Sequence, residues 1–158
     1  MQESDHRTAG PTVALVYQSL EVPALLQTAE YARGRAPDPA ATERVLAGQR
    51  MLLDAARQFH FVIAEEALRR PACAPSSMSV QMRYLASLSR LANVRLGILP
   101  AGAPGEEPPV GSFAVLDGHA VVTDVPEGAV IADRAGDAAR YAEAFAGLAA
   151  GGRPRFRA

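Results

Sequence analysis

Apolar and polar positions along the chain change period several times, and each change predicts an element. Residues 1–11 are polar and suit a flexible lead-in, and from Thr12 the chain turns apolar. Val22, Leu25 and Leu26, with the stretch from Gln27 to Arg33, predict a short helix opening at Pro23 and broken by Gly34 and Pro37. Asp38 followed by Pro39 is an N-cap with proline in the first turn. Behind it Val45, Leu46, Leu52, Leu53 and Ala56 recur at roughly helical spacing, which extends a second helix to about Gln58. Phe59-His60-Phe61-Val62-Ile63 is β-prone and too brief for a helix, so it predicts a strand.

Residues 65–70 make a helical turn ended by Pro71. Ser76 or Ser77 then caps a helix with Met78, Met82, Leu85, Leu88 and Ala92 on one face, and Asn93 stops it. A second strand over 94–99 completes a strand-helix-strand unit, hence two parallel strands. Residues 112–116 and 119–123 flank Asp117-Gly118, a two-residue hairpin signal, and 129–132 add a short strand. A final helix over 136–150 carries Tyr141, Phe145 and Leu148 on one face. The expectation is an α/β (α+β) fold. Its mixed sheet has four to five short strands, with N-terminal helices and a C-terminal helix packed on it. One domain fills 12–150, and residues 151–158, with Arg153, Arg155 and Arg157, form a basic tail.

Composition narrows the chemistry. The 158 residues contain 16 arginines and no lysine, which removes Schiff-base lysines, phosphate-loop lysines and Ser-Lys dyads. A formal charge of -1 offers no basic field for nucleic acid. Cys73 is the single cysteine, so neither an internal disulfide nor a thiolate cluster can form. His6, His60 and His119 are scattered without metal-ligand spacing, so no metal and no cofactor is expected. No run reaches the roughly 18 to 20 apolar residues of a membrane span, and no apolar leader core opens the sequence. A cytoplasmic protein without membrane contact is the expectation.

Several polar residues stand where a site could form. Gln27 and Tyr31, four apart on the expected helix, would present an amide and a phenol to one cavity, beside Thr28. Glu65 follows a strand and can pair with Arg69, with Arg44 reaching it from the long helix. The plainer readings are a satisfied core pair for the first group and a structural ion-pair network for the second. Cys73 in its proline-bounded loop is a nucleophile or an inert thiol. Met78, Met82 and Tyr84 line a pocket or fill the core. Glu106 and Glu107, in a loop over 104–109, belong to a lid or a solvated connector.

The segment Val22-Pro23-Ala24-Leu25-Leu26-Gln27-Thr28, then Tyr31-Ala32-Arg33, resembles a family of domains. The likeness continues through Arg44 and Gln49, Phe61-Val62-Ile63-Ala64-Glu65-Glu66-Ala67-Leu68-Arg69, and Met78 to Leu85. Asn93-Val94, Leu99-Pro100, Gly111-Ser112-Phe113 and Arg140-Tyr141 extend it, so that it spans about residues 14–148. The family is the uncharacterised C-terminal domain of actinobacterial XRE-type helix-turn-helix regulators, the Scr-type antitoxin-like group. Against its pattern, Ala24 stands for Gly, Gly48 for Arg, and Asp124 falls where a late strand tends to carry Glu.

The resemblance implies an effector or partner domain, here expected to stand without its helix-turn-helix and not to bind DNA itself. Its polar network would be Gln27, Thr28, Tyr31, Arg44, Gln49, Glu65 and Arg69, facing a small-molecule ligand or a small partner protein. The alternative is a domain recruited as a cofactor-free biosynthetic enzyme of secondary metabolism, for cyclisation or proton transfer, with Glu65, Tyr31 and His60 as catalytic groups. A third reading is an interaction scaffold for a toxin-like partner, which would show an apolar surface patch. The hairpin would offer an edge strand to a homodimer.

Overall fold

The computed structural model describes residues 10–103, 111–125, 128–132 and 136–153. The lead-in over 1–9 with His6, the loop with Glu106 and Glu107, the Asp124 side chain, and the tail beyond Arg153 lie outside the described residues.

Six strands form one mixed sheet. They are β1 (Val13–Gln18), β2 (Gln58–Ala64), β3 (Val94–Leu99), β4 (Phe113–Leu116), β5 (Ala120–Val125) and β6 (Gly128–Ala132), in the spatial order β3-β2-β1-β4-β5-β6. β1, β2 and β3 run parallel, and β4, β5 and β6 continue the sheet as antiparallel neighbours. The strand-helix-strand unit from β2 to β3 and the β4–β5 hairpin stand as expected. No element is predicted over Val13–Gln18, yet this strand is central, pairing with both β2 and β4. Both its faces are covered, so its burial lacks the alternation of a half-exposed strand. Neither hairpin strand is an edge, because β4 pairs with β1 and β5 with β6. The hairpin therefore offers no edge for a second copy.

Period-two alternation splits the core between the faces. Phe59, Phe61 and Ile63 of β2 point to one side. They meet Tyr31 of α1 (Ala29–Arg35), Leu52 after α2 (Pro39–Gly48), Ala67 of α3 (Glu65–Arg69), and Leu85 and Leu88 of α4 (Pro75–Leu88). Val62 points to the other side, with Tyr17, Phe113, Val115 and Val121, under Phe145 and Leu148 of α5 (Asp137–Gly151). Tyr141 adds an edge contact to Phe113, their ring centroids 5.0 Å apart.

Four helix boundaries differ from expectation, each for a local reason. The first helix is two pieces: a 3-10 turn over Ala24–Leu26, an extended Gln27, and α1, whose Tyr31 N–H donates to the Thr28 hydroxyl at 3.3 Å. Gly34 does not break α1 but lies inside it, where a Cβ would sit 1.6 Å from the Ala72 carbonyl oxygen. The second helix ends at Gly48 and continues only as a 3-10 turn over Gln49–Leu53. Asp54 then reverses the chain by accepting the Ala56 N–H at 3.0 Å, so helix never reaches Gln58. The α4 helix starts at Pro75, a proline in the first turn, and not at a serine cap.

At the other end, the expected tail is anchored where it begins. Gly151 is helical, and Arg153 exchanges both backbone hydrogen bonds with Ile98 of the β3 edge, at 2.9 and 3.0 Å. Among the described residues, no helix is long and apolar enough to cross a membrane.

Candidate functional site

The segment leaving the carboxyl end of β1 turns sharply at Pro23 and runs under α1 and α2. Side chains from distant elements bind its backbone. Tyr31 Oη accepts the Val22 N–H at 3.1 Å, while Gln27 Nε2 donates to the Val22 carbonyl at 2.8 Å. Gln49 Nε2 donates to the Gln27 carbonyl, and Gln49 Oε1 accepts from the Tyr84 hydroxyl at 3.3 Å. Gln81, wholly buried on α4, donates to the Leu26 carbonyl at 2.8 Å and accepts the Thr28 N–H at 2.7 Å.

Gln27, Thr28, Tyr31 and Gln49, expected to form a ligand-facing polar network, are thus brought together around one backbone segment. The purpose of the contacts differs. Gln27 is extended, so it and Tyr31 are not a helical pair pointing into a common cavity. Tyr31 is 1% exposed, and burial raises its phenol pKa, with the Val22 hydrogen bond acting in the opposite direction. Its hydroxyl holds backbone.

Other expected members stand apart. Arg44 is exposed and pairs with Asp38 at 3.8 Å, so it does not reach Glu65. Glu65 and Arg69 do pair, at 3.1 Å across one helical turn, and Glu65 Oε2 accepts the Ala101 N–H at 3.3 Å. Arg69 remains largely in solvent, and the carboxylate ties the end of β2 to the end of β3.

The catalytic grouping of Glu65, Tyr31 and His60 is not assembled. His60 lies on the α5 side of the sheet, its ring 4.9 Å from that of Phe145, whereas Tyr31 packs on the opposite side. Alternation along β2 turns His60 away from the face of Phe59 and Phe61, on which Tyr31 packs. Burial lowers the His60 pKa, and Arg95, its register partner on β3, lowers it further. Burial, and secondarily Glu30, raises the Cys73 pKa, the reverse of an activated thiol. Met78, Met82 and Tyr84 pack against the core of the α4 side. Among the described residues, no group of three or more His, Cys, Asp or Glu is placed to hold a metal.

Beside this stapled turn, α1 and α2 leave an open cleft of about 250 Å³. Ala24, Ala32, Ala36, Ala41 and Val45 supply its apolar wall, and Glu21, Gln27, Arg35 and Thr42 its polar groups. Arg35 Nε donates to Glu21 Oε2 at 2.7 Å. Thr42 is 5% exposed, and its hydroxyl is the one buried side-chain oxygen or nitrogen among the described residues with no hydrogen-bond partner. Such groups are uncommon in folded chains and carry a desolvation cost.

Glu21, Arg35, Thr42 and Gln81 escape the sequence reading. Thr42 shares a helical face with Val45 and follows the Asp38 cap by one turn, a spacing that could have marked it. The Glu21–Arg35 pair spans 14 residues across a turn and leaves no periodic trace.

No curated protein and no solved structure matches the chain. The model of the domain of unknown function DUF5753 matches residues 9–155, nearly the whole sequence, and the chain therefore belongs to the DUF5753 family.

Proposed function

We propose that this chain is a ligand-binding domain of the effector type, derived from a transcriptional regulator and not itself a DNA-binding unit, and that its ligand is a small molecule held in the cleft between α1 and α2. The observation that carries this reading is Thr42, a lining residue of that cleft whose buried hydroxyl has no hydrogen-bond partner among the described residues. A ligand hydrogen bond would offset the cost of burying it, and pockets characteristically set a few polar groups on an apolar wall. The cleft lies just below the usual volume range of roughly 300 to 1,000 Å³, so the ligand is small. Two further facts support the reading. The segment that supplies Glu21, Ala24 and Gln27 follows the carboxyl end of a parallel strand, where sites in such sheets gather. A formal charge of -1 gives no field for a phosphate backbone.

Native mass spectrometry of the protein purified from its own host tests this. A small molecule that co-purifies and is released on denaturation, and that Thr42→Leu fails to retain, supports the reading. A bare mass, together with no thermal stabilisation by a fractionated small-molecule extract of the host, overturns it.

A further inference from the structure

The polar groups of the cleft define the class of molecule it would take. Arg35 and Glu21 contact each other through one guanidinium nitrogen and one carboxylate oxygen, with 47% and 31% of their side-chain surfaces still open. The Nε of Arg35 is committed to Glu21, and no described residue accepts from its two terminal nitrogens. A guanidinium presents five N–H donors in a rigid fork, so the terminal edge is free to take a second planar oxyanion. Beside it the Glu21 carboxylate offers a place for a cation. The two charges cancel, so a ligand with one charge would leave the cleft unbalanced. A ligand with both would not.

The remaining lining fits a short branched body. Ala24, Ala32, Ala36 and Val45 present only methyl groups, and Thr42, whose unpartnered hydroxyl is buried, lines the cleft with them. Adding a hydroxyl to a ligand in a purely apolar pocket gains little, but beside a buried, unpaired partner it gains a hydrogen bond that the apolar isostere lacks.

We propose that the cleft binds a small zwitterion of the α-amino-acid class. Its carboxylate lies on the terminal nitrogens of Arg35 and its ammonium against Glu21. Its short side chain, hydroxyl-bearing in the best ligand, rests on the alanine wall within reach of Thr42. The inference rests on the cleft being a ligand site and adds the chemistry of the ligand.

Isothermal titration calorimetry of the whole chain decides it with four probes: L-threonine, its isostere L-valine, isovalerate, which lacks the ammonium, and isobutylamine, which lacks the carboxylate. L-Threonine is expected to bind best, and the two singly charged probes about tenfold or more weaker. Arg35→Gln and Glu21→Gln, both partly solvent-exposed and checked by circular dichroism, should each weaken the amino acids about tenfold. Thr42→Val should erase the preference for L-threonine over L-valine, and Thr42→Ser should keep it. Equal binding of isovalerate or isobutylamine, or undiminished binding by Arg35→Gln, overturns the zwitterion. If no probe binds but a neutral compound co-purifies and is lost in Thr42→Leu, the zwitterion is overturned and the cleft remains a ligand site. If nothing binds or co-purifies, both fall.

Discussion

Thr28 and Gln81 lie 53 residues apart in the chain, yet the Thr28 N–H donates to Gln81 Oε1 at 2.7 Å. The same amide returns a bond from Nε2 to the Leu26 carbonyl, so one buried side chain imitates a strand partner for the turn after β1. A backbone that leaves a sheet and turns under two helices has no ladder of its own, and its polar groups must be satisfied from elsewhere. Gln81 supplies that from α4, Gln49 from the end of α2, and Tyr31 from α1.

Gln81→Leu tests the importance of this staple. The substitution keeps the volume apolar but leaves the Leu26 carbonyl and the Thr28 N–H unpaired, at a cost of about 2–4 kcal/mol. Urea unfolding should show that loss as a lower midpoint with an unchanged slope. A loss below about 0.5 kcal/mol would mean the turn is held by packing alone.

Gly34→Ala separates helix propensity from packing. In an exposed helix the change would gain up to about 1 kcal/mol. Here the new methyl would fall on the Ala72 carbonyl, which is backbone and cannot step aside alone. We expect destabilisation by about 2 kcal/mol or more, read as a drop in thermal midpoint. A rise would show that the Ala72 loop yields freely.

This glycine illustrates what the sequence could and could not disclose. Local signals were legible: Asp38 and Pro39 open α2, Asp117 and Gly118 close the β4–β5 hairpin with φ of 52° and 74°, and Phe145 and Leu148 seat α5. Each depends on neighbours a few residues away. Gly34 looked like a helix breaker because its reason for being glycine lies at Ala72, remote in sequence. Strand β1 escaped because a strand buried on both faces has no period to detect. At the site, Gln27, Thr28, Tyr31 and Gln49 do meet, but around main-chain groups and partners remote in sequence that no spacing encodes. Thr42 and Arg35 lie seven residues apart on consecutive helices, and the break over 36–38 removes the helical spacing that would have paired them.

Acidification should weaken the fold through His60. In the folded chain its pKa lies below the ordinary histidine value of 6.5, chiefly from burial against the α5 side and then from Arg95. The unfolded chain therefore binds the proton more readily. Stability contributed by the neutral ring is fully present above the unfolded value and declines as pH falls through and below 6.5. Unfolding midpoints measured across this window should fall for the wild type, and the slope should be shallower for His60→Gln. Identical slopes in the two proteins would exclude the histidine as the source.

Asp117 does two jobs at the hairpin, and substitutions can divide them. Its backbone takes a positive φ that aspartate tolerates better than most residues, while its Oδ1 accepts both the Thr12 and the Val13 N–H at 2.8 Å. Asp117→Gly relieves the backbone but loses both bonds, and Asp117→Asn keeps an acceptor at the same φ. Asn should therefore cost less than Gly, with Gly losing about 1–2 kcal/mol in denaturant unfolding. If Gly equals or exceeds the wild type, backbone freedom governs the turn and the tie to β1 is idle.

Thr42→Val tests stability and function in opposite directions. The two side chains are nearly isosteric, and the hydroxyl removed has no partner among the described residues. Without it, the folded state no longer bears the cost of desolvating an unpaired polar group, so the variant should gain about 0.5–1 kcal/mol in thermal or urea unfolding. A residue kept for binding commonly lowers stability in this way, because the group that awaits a ligand is unsatisfied until the ligand arrives. The same substitution should reduce retention of the co-purifying small molecule. Stabilisation with loss of retention would assign the hydroxyl to binding. Destabilisation of the ligand-free protein would show that Thr42 serves the fold, and would remove the main support for a site between α1 and α2.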